Sequence, residues 1–218
     1  MDRAGERLVC RTCWQRLVPE RADCCPVCGL FLSGAGSPGV CGECLRNPPP
    51  FTCQRSAGRY SGLLKDLIAL FKYERLEPLG CDLARFAWAA LSFESKLWGG
   101  VEAIIPVPLH RRRLIRRGFN QAAVLARELE KLAGLRSSNV RLMRLKDIPP
   151  QIGLAGGARR RNVKGAFGLR RAKNLAGRTF LLVDDVYTTG STVSECCRVL
   201  KRGGAAEVRV LTLARAQD

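Results

Sequence analysis

The sequence has no apolar run approaching the roughly 20 residues that a membrane-spanning helix needs. No apolar, signal-like stretch precedes its first cysteine either. These absences argue against membrane insertion and secretion, and the expectation is a cytoplasmic protein. Histidine is nearly missing: His110 is the single one, and no strong general base stands out. Acidic residues are scarce where bases are dense. Between Ile105 and Arg178 there are 19 Lys/Arg against three acids, a net +16 within a chain total of +18. Such a segment suits a phosphate-rich small molecule or a polyanion. A basic, solvated surface has the same composition, so charge alone does not separate these readings.

At 218 residues and 46 % hydrophobic content, the chain can form one α/β domain beside a small module. Residues 1–50 are rich in Cys, Gly and Pro and end at Asn47-Pro48-Pro49-Pro50. Residues 51–218 alternate strand and helix patterns. Phe51 to Tyr60 reads as extended, and Ser61 precedes a helix with Leu64, Leu67, Ile68 and Phe71 on one face. Residues 80 to 98 read as a second helix, and Val101 to Val107 as a buried strand. Phe119 to Leu132 is amphipathic and ends near Gly134. Val140 to Leu145 suits another strand. Residues 147 to 174 read as a long basic, Gly-rich loop, a length usually tied to function. Phe180 to Val183 is the clearest strand, followed by a helix from Thr192 to Arg202 and a strand from Glu207 to Leu213. The alternation predicts an α/β fold with a parallel or mostly parallel sheet.

Six of the 11 cysteines form three C-x-x-C pairs: Cys10/Cys13, Cys25/Cys28 and Cys41/Cys44. In a reducing compartment such pairs favour metal over disulfides. Two pairs make one tetrahedral site, and Cys25, Cys28, Cys41 and Cys44 match best. The alternative joins Cys10 and Cys13 to Cys25 and Cys28. A closed four-cysteine site leaves no coordination position for water, so its zinc would be structural. Cys81, Cys196 and Cys197 lie in helical patterns and read as small buried hydrophobes. Trp14 and Phe31 read as packing residues of the module, with base stacking as the alternative.

The chemistry concentrates in Phe180 to Thr192, FLLVDDVYTTGST. A buried strand ends in Asp184 and Asp185, and a small polar turn leads into a helix. Ligands of open α/β sheets sit at the carboxyl ends of strands, and a helix start offers free N–H groups to phosphate. Gly190 admits an anion close to the backbone, and Thr188, Thr189, Ser191 and Thr192 add hydroxyls. Two neighbouring carboxylates suit the two hydroxyls of a ribose. Thr192-Val193-Ser194-Glu195 also fits a capping box, and a capped turn needs no ligand. Capping, however, does not call for the paired aspartates.

This segment resembles the signature of type I phosphoribosyltransferases that binds phosphoribosyl pyrophosphate (PRPP). Ile104 to His110, Arg117-Gly118-Phe119-Asn120-Gln121, and Gln151-x-x-Leu154 followed by Arg159, Asn162 and Phe167 resemble the ComF family, with its N-terminal zinc ribbon and its association with DNA uptake in competence. The resemblance implies the type I phosphoribosyltransferase fold and a PRPP or related sugar-phosphate ligand with Mg²⁺. Asp184 and Asp185 would hold the ribose hydroxyls, Asp185 being the best-placed base. Thr188, Thr189, Gly190, Ser191 and Thr192 would wrap the 5′-phosphate. Pro108, His110, Arg111, Arg117, Gln151 and Arg159 would face the pyrophosphate or its hood. His110 suits an ordinary loop position equally well, and Asn120 is a good helix cap. Ile148 stands where relatives carry Thr, a departure on the acceptor side.

Two functions remain open on sequence. The first is an enzyme, a phosphoribosyltransferase with an unnamed acceptor. The second is a non-catalytic protein with a PRPP pocket that binds single-stranded DNA through its basic face. Competence-machinery proteins are expected partners of either.

Overall fold

The computed structural model describes residues 8–32, 39–135, 138–146, 163–170 and 175–217. Its centre is a four-stranded, all-parallel sheet ordered β1-β6-β5-β2. The strands are β1 (Gln54–Arg59), β2 (Ala103–Pro106), β5 (Thr179–Tyr187) and β6 (Glu207–Arg215). In β5 and β6, Phe180 to Val183, Val208, Val210 and Leu211 are fully buried. This is what a strand covered on both faces requires.

Strand alternation sends successive side chains to opposite faces. Leu181, Val183 and Leu213 pack with α3 (Gly62–Tyr73), α4 (Leu79–Leu91) and most of α7 (Gln121–Ala133). Phe180, Leu182, Val208 and Val210 pack with α8 (Ser191–Arg202) on the other side. The buried face of α3 is Leu64, Leu67, Ile68 and Phe71, as its periodicity predicts. Helix α7 ends at Gly134 in the left-handed conformation.

Several boundaries differ from expectation. The predicted helix over residues 80 to 98 is two: α4 and the short α5 (Ser95–Trp98). The segment 111–117, to which the sequence assigns no element, is helix α6. Its sequence, RRRLIRR, buries no residue, so no apolar face announced it. The predicted strand near 140 to 145 is β3 (Arg141–Arg144), which lies outside the main sheet. It pairs antiparallel with β4 (Phe167–Arg170), inside the stretch read as a loop.

The cysteine-rich segment contributes α1 (Arg11–Arg16) and α2 (Gly42–Arg46). Its side chains join the cores on both faces of the sheet. Val9 and Leu17 pack with the α4 side, and Cys25, Cys28 and Cys44 with the α8 side. The buried Asp82 of α4 accepts the Leu8 and Val9 N–H groups at 2.9 and 3.2 Å. Among the described residues, no helix is long and apolar enough to cross a membrane.

Candidate functional site

A cleft of about 170 Å³ opens beyond the carboxyl ends of β2 and β5. Asp184, Asp185, Thr192, Pro108 and Arg117 line it, as the sequence suggests. Lys72, Arg113, Asn120, Gln121 and Arg144 complete its polar wall. Four basic side chains thus surround two carboxylates.

The aspartates are consecutive in one strand, so they leave it on opposite faces. Asp185 turns toward α3 and pairs with Lys72 Nζ at 2.9 Å. Both side chains are shielded, at 14 % and 13 % exposure. Burial disfavours the Lys72 ammonium, but Asp185, and then Asp184, outweigh it and hold its pKa above the usual lysine value. Asp184 turns to the other face and accepts the Asp185 N–H at 2.9 Å. Burial and the neighbouring Asp185 charge push the Asp184 carboxyl up to about 7, against the pull of Lys72 and Arg144. A nearby cation or hydroxyl donor would favour the charged form of such a carboxyl.

Helix α7 fixes one wall. Asn120 caps it by accepting the Ala122 N–H at 3.2 Å, and its amide donates to the Val107 carbonyl at 3.0 Å. The cap therefore ties the helix start to the end of β2. Gln121, almost fully buried, accepts from Arg117 at 3.1 Å and holds that guanidinium at the cleft. Arg117 also lies 5.4 Å above the Tyr73 ring, a cation–π distance. His110 caps α6, its Nδ1 accepting the Arg112 N–H at 3.3 Å, and neither it nor exposed Arg111 lines the cleft. Gln151 and Arg159 lie outside the described residues.

The turn after β5 has two sides. Thr192 faces the aspartate cleft, whereas Thr188, Thr189 and Ser191 line a larger cleft of about 750 Å³ that reaches the cysteine module. Thr189 and Ser191 hydroxyls lie 2.9 Å apart. Helix α8 does not use the capping box that its sequence allows. It starts after Gly190, in the left-handed region at φ 69°, with no side-chain cap. Glu195 instead accepts the Gly165 N–H at 3.0 Å and pairs with Arg198 at 3.1 Å. No side-chain cap therefore competes for the first-turn N–H groups of α8.

The sequence reading missed Lys72 and Arg144. Lys72 had a signal: it lies four residues after buried Ile68, so it extends the apolar face of α3. A lysine on a buried face requires a partner. Arg144 had none, because the pairing of β3 with β4 places it.

Cys25, Cys28, Cys41 and Cys44 converge, with all four sulfurs within 4.8 Å of one another. The Cys28 and Cys41 sulfurs lie 3.6 Å apart. A tetrahedral site with metal–sulfur bonds near 2.3 Å has sulfurs about 3.8 Å apart, so the set fits a metal ion. The Cys41 N–H donates to the Cys25 sulfur at 3.3 Å. Burial raises the Cys25 pKa, but the N–H groups of Cys41, Cys28 and Val27 outweigh it and bring the thiol to about 6. Cys10 and Cys13 stand apart from this cluster, Cys10 exposed and Cys13 half-buried.

A parallel sheet flanked by helices, an acidic pair near the carboxyl end of β5, a turn leading into a helix and an N-terminal cluster of four cysteines that could hold a metal ion together define a protein of phosphoribosyltransferase fold with a cysteine-rich N-terminus. The phosphoribosyl transferase domain family matches residues 114–218. The DNA utilization protein YhgH of Salmonella typhi is 36 % identical over 210 residues, covering 95 % of this chain and 90 % of that protein. Competence protein F of Haemophilus influenzae is 38 % identical over 182 residues, 81 % of this chain and 78 % of that one. Competence protein ComFC of Bacillus subtilis is 28 % identical over 216 residues, 95 % and 84 % of the two chains. The chain belongs to the ComF family.

Proposed function

We propose that the aspartate cleft binds PRPP with Mg²⁺ and transfers phosphoribose to an acceptor, in a DNA-handling setting. The observation that carries this reading is the meeting of Asp184 and Asp185 with Lys72, Arg113, Arg117 and Arg144 at the strand ends, next to the start of α8. In this reading the 5′-phosphate sits at the start of α8, met by Thr192 from the aspartate cleft and by the N–H groups and hydroxyls of Thr188, Thr189 and Ser191 from the larger one. Asp184 and Asp185 orient the ribose hydroxyls, Lys72 holding Asp185 in place through their ion pair. Arg113, Arg117 and Arg144 stabilise the charge that grows on the departing pyrophosphate. The raised Asp184 carboxyl and its neighbour are hard oxygen ligands that fit Mg²⁺. That ion would neutralise leaving-group charge.

The cysteine site, in the same reading, holds zinc as a structural ion, and residues 1–50 form a module packed onto the domain over 51–218. Cysteine pairs suited to metal support a reducing compartment, the cytoplasm. The names of the relatives support partners among DNA-handling and competence proteins. A DNA-binding role is favoured by α6, whose Arg111, Arg112 and Arg116 are exposed.

The deciding measurement is thermal unfolding with PRPP and Mg²⁺. The wild type should melt at a higher temperature with ligand, and Asp184→Ala should remove the shift. A wild type whose melting does not respond to saturating PRPP defeats the reading.

A further inference from the structure

The four-cysteine site and the phosphate turn share a wall. Cys28, Cys41 and Cys44 line the larger cleft together with Thr188, Thr189 and Ser191. Two side chains between them make a continuous mechanical path. Arg215, at the end of β6, donates from Nη1 to the Cys28 carbonyl at 2.6 Å, and its Nη2 lies 3.9 Å from the Cys28 sulfur. The same guanidinium lies 4.6 Å above the Tyr187 ring. Its Nε is buried without a hydrogen-bond partner, so the bond to Cys28 carries much of its hold.

Tyr187, in turn, shapes the turn. Its ring is buried and meets Phe51 edge-on at 6.4 Å. Its hydroxyl end lies directly against Gly190: a Cβ there would sit 2.2 Å from the Tyr187 oxygen. Gly190 is therefore required twice, for its left-handed backbone and for the room that Tyr187 takes. The ring acts as a template for the residue that begins α8.

We propose that Arg215 and Tyr187 couple the metal site to the turn, so that metal occupancy sets the turn's order and its grip on a sugar phosphate. With metal bound, the turn from Cys25 to Cys28 is rigid and its last carbonyl anchors Arg215. Arg215 fixes the Tyr187 ring, and the ring fixes Gly190. Loss of the metal frees the Cys28 carbonyl and leaves the guanidinium short of a second partner. The ring then loses its clamp. The ligand named here rests on the PRPP reading above; the coupling itself does not.

The test follows hydrogen–deuterium exchange in peptides covering 186–195 of the full chain, with zinc content measured in parallel and PRPP–Mg²⁺ binding measured by calorimetry. Zinc removal from the wild type should speed exchange in the turn and weaken PRPP about tenfold, a usual size for coupled sites. Zinc-loaded Arg215→Lys should keep its metal yet show the same faster exchange. In Tyr187→Leu, zinc removal should add no further change at the turn. Unchanged exchange in zinc-loaded Arg215→Lys overturns the coupling, and this arm decides the matter even where the stripped chain unfolds. A zinc-loaded wild type that ignores PRPP removes the ligand reading, while the exchange data still judge the coupling.

Discussion

The acidic pair behaves as two different residues. Asp185 pairs with Lys72 at 2.9 Å, whereas Asp184 is pushed up to about 7 by burial and by its neighbour. For Asp184 the folded state holds its proton more tightly than the unfolded chain does. Stability therefore falls as pH rises from about 4 to 7 and levels off above. Asp184→Asn should stabilise the ligand-free protein by about 2 kcal/mol at pH 8, with the gain vanishing near pH 4 in denaturant titrations. The opposite sign is expected at Lys72. Lys72→Met leaves a shielded Asp185 charge unpaired and should cost about 3 kcal/mol. Adding Asp185→Asn should recover most of it, which a double-mutant cycle in urea measures. The sequence displayed the pair and its turn because a run of hydrophobics ending in two acids is a local pattern. It did not display the division of labour, because Lys72 arrives from a helix more than a hundred residues earlier.

Among the elements, α4 and α7 show why some contacts resist sequence reading. They approach closely at Gly80, where a Cβ would sit 2.4 Å from a Val124 methyl and 3.1 Å from the Phe71 ring. Gly80→Ala should destabilise the fold by about 1–3 kcal/mol, read from the urea midpoint at unchanged slope. Nothing in the sequence around Gly80 marks it as more than a helix start. By contrast α3, α7, β5 and β6 were legible, since each carries its own apolar period or run. Helix α6 was not, because its arginines cover every face and only Leu114 and Ile115 interrupt them. Strand β4 escaped notice inside a Gly-rich, basic stretch, because it carries only Phe167 and Leu169 as an apolar signal.

At the scale of the whole molecule, the cysteine module and the sheet are built into one another. Val9, Leu17, Cys25, Cys28 and Cys44 all pack with core residues of the larger domain. Metal loss should therefore be felt beyond the module. Chelation of zinc should lower the melting temperature of the full chain. Cys41→Ser should lose the metal, whereas Cys10→Ser and Cys13→Ser should keep it, as metal analysis by mass spectrometry will show. Retained metal in Cys41→Ser contradicts the ligand set.

The choice among cysteine pairs marks where local pattern stops being informative. Spacing favoured Cys25, Cys28, Cys41 and Cys44 but left Cys10 and Cys13 as rivals, and in the fold it is the first four whose sulfurs converge within 4.8 Å. By itself the sequence determined the α/β class, the parallel strands, the acidic pair and the small polar turn that follows it. Each of these is written in a short window by hydrophobic period or by residue chemistry. Tertiary structure alone decided which cations meet the carboxylates, which side of the turn each hydroxyl faces, and that Arg215 lies between Cys28 and the Tyr187 ring. Those outcomes depend on which distant segments the sheet order brings side by side, and no local pattern encodes that.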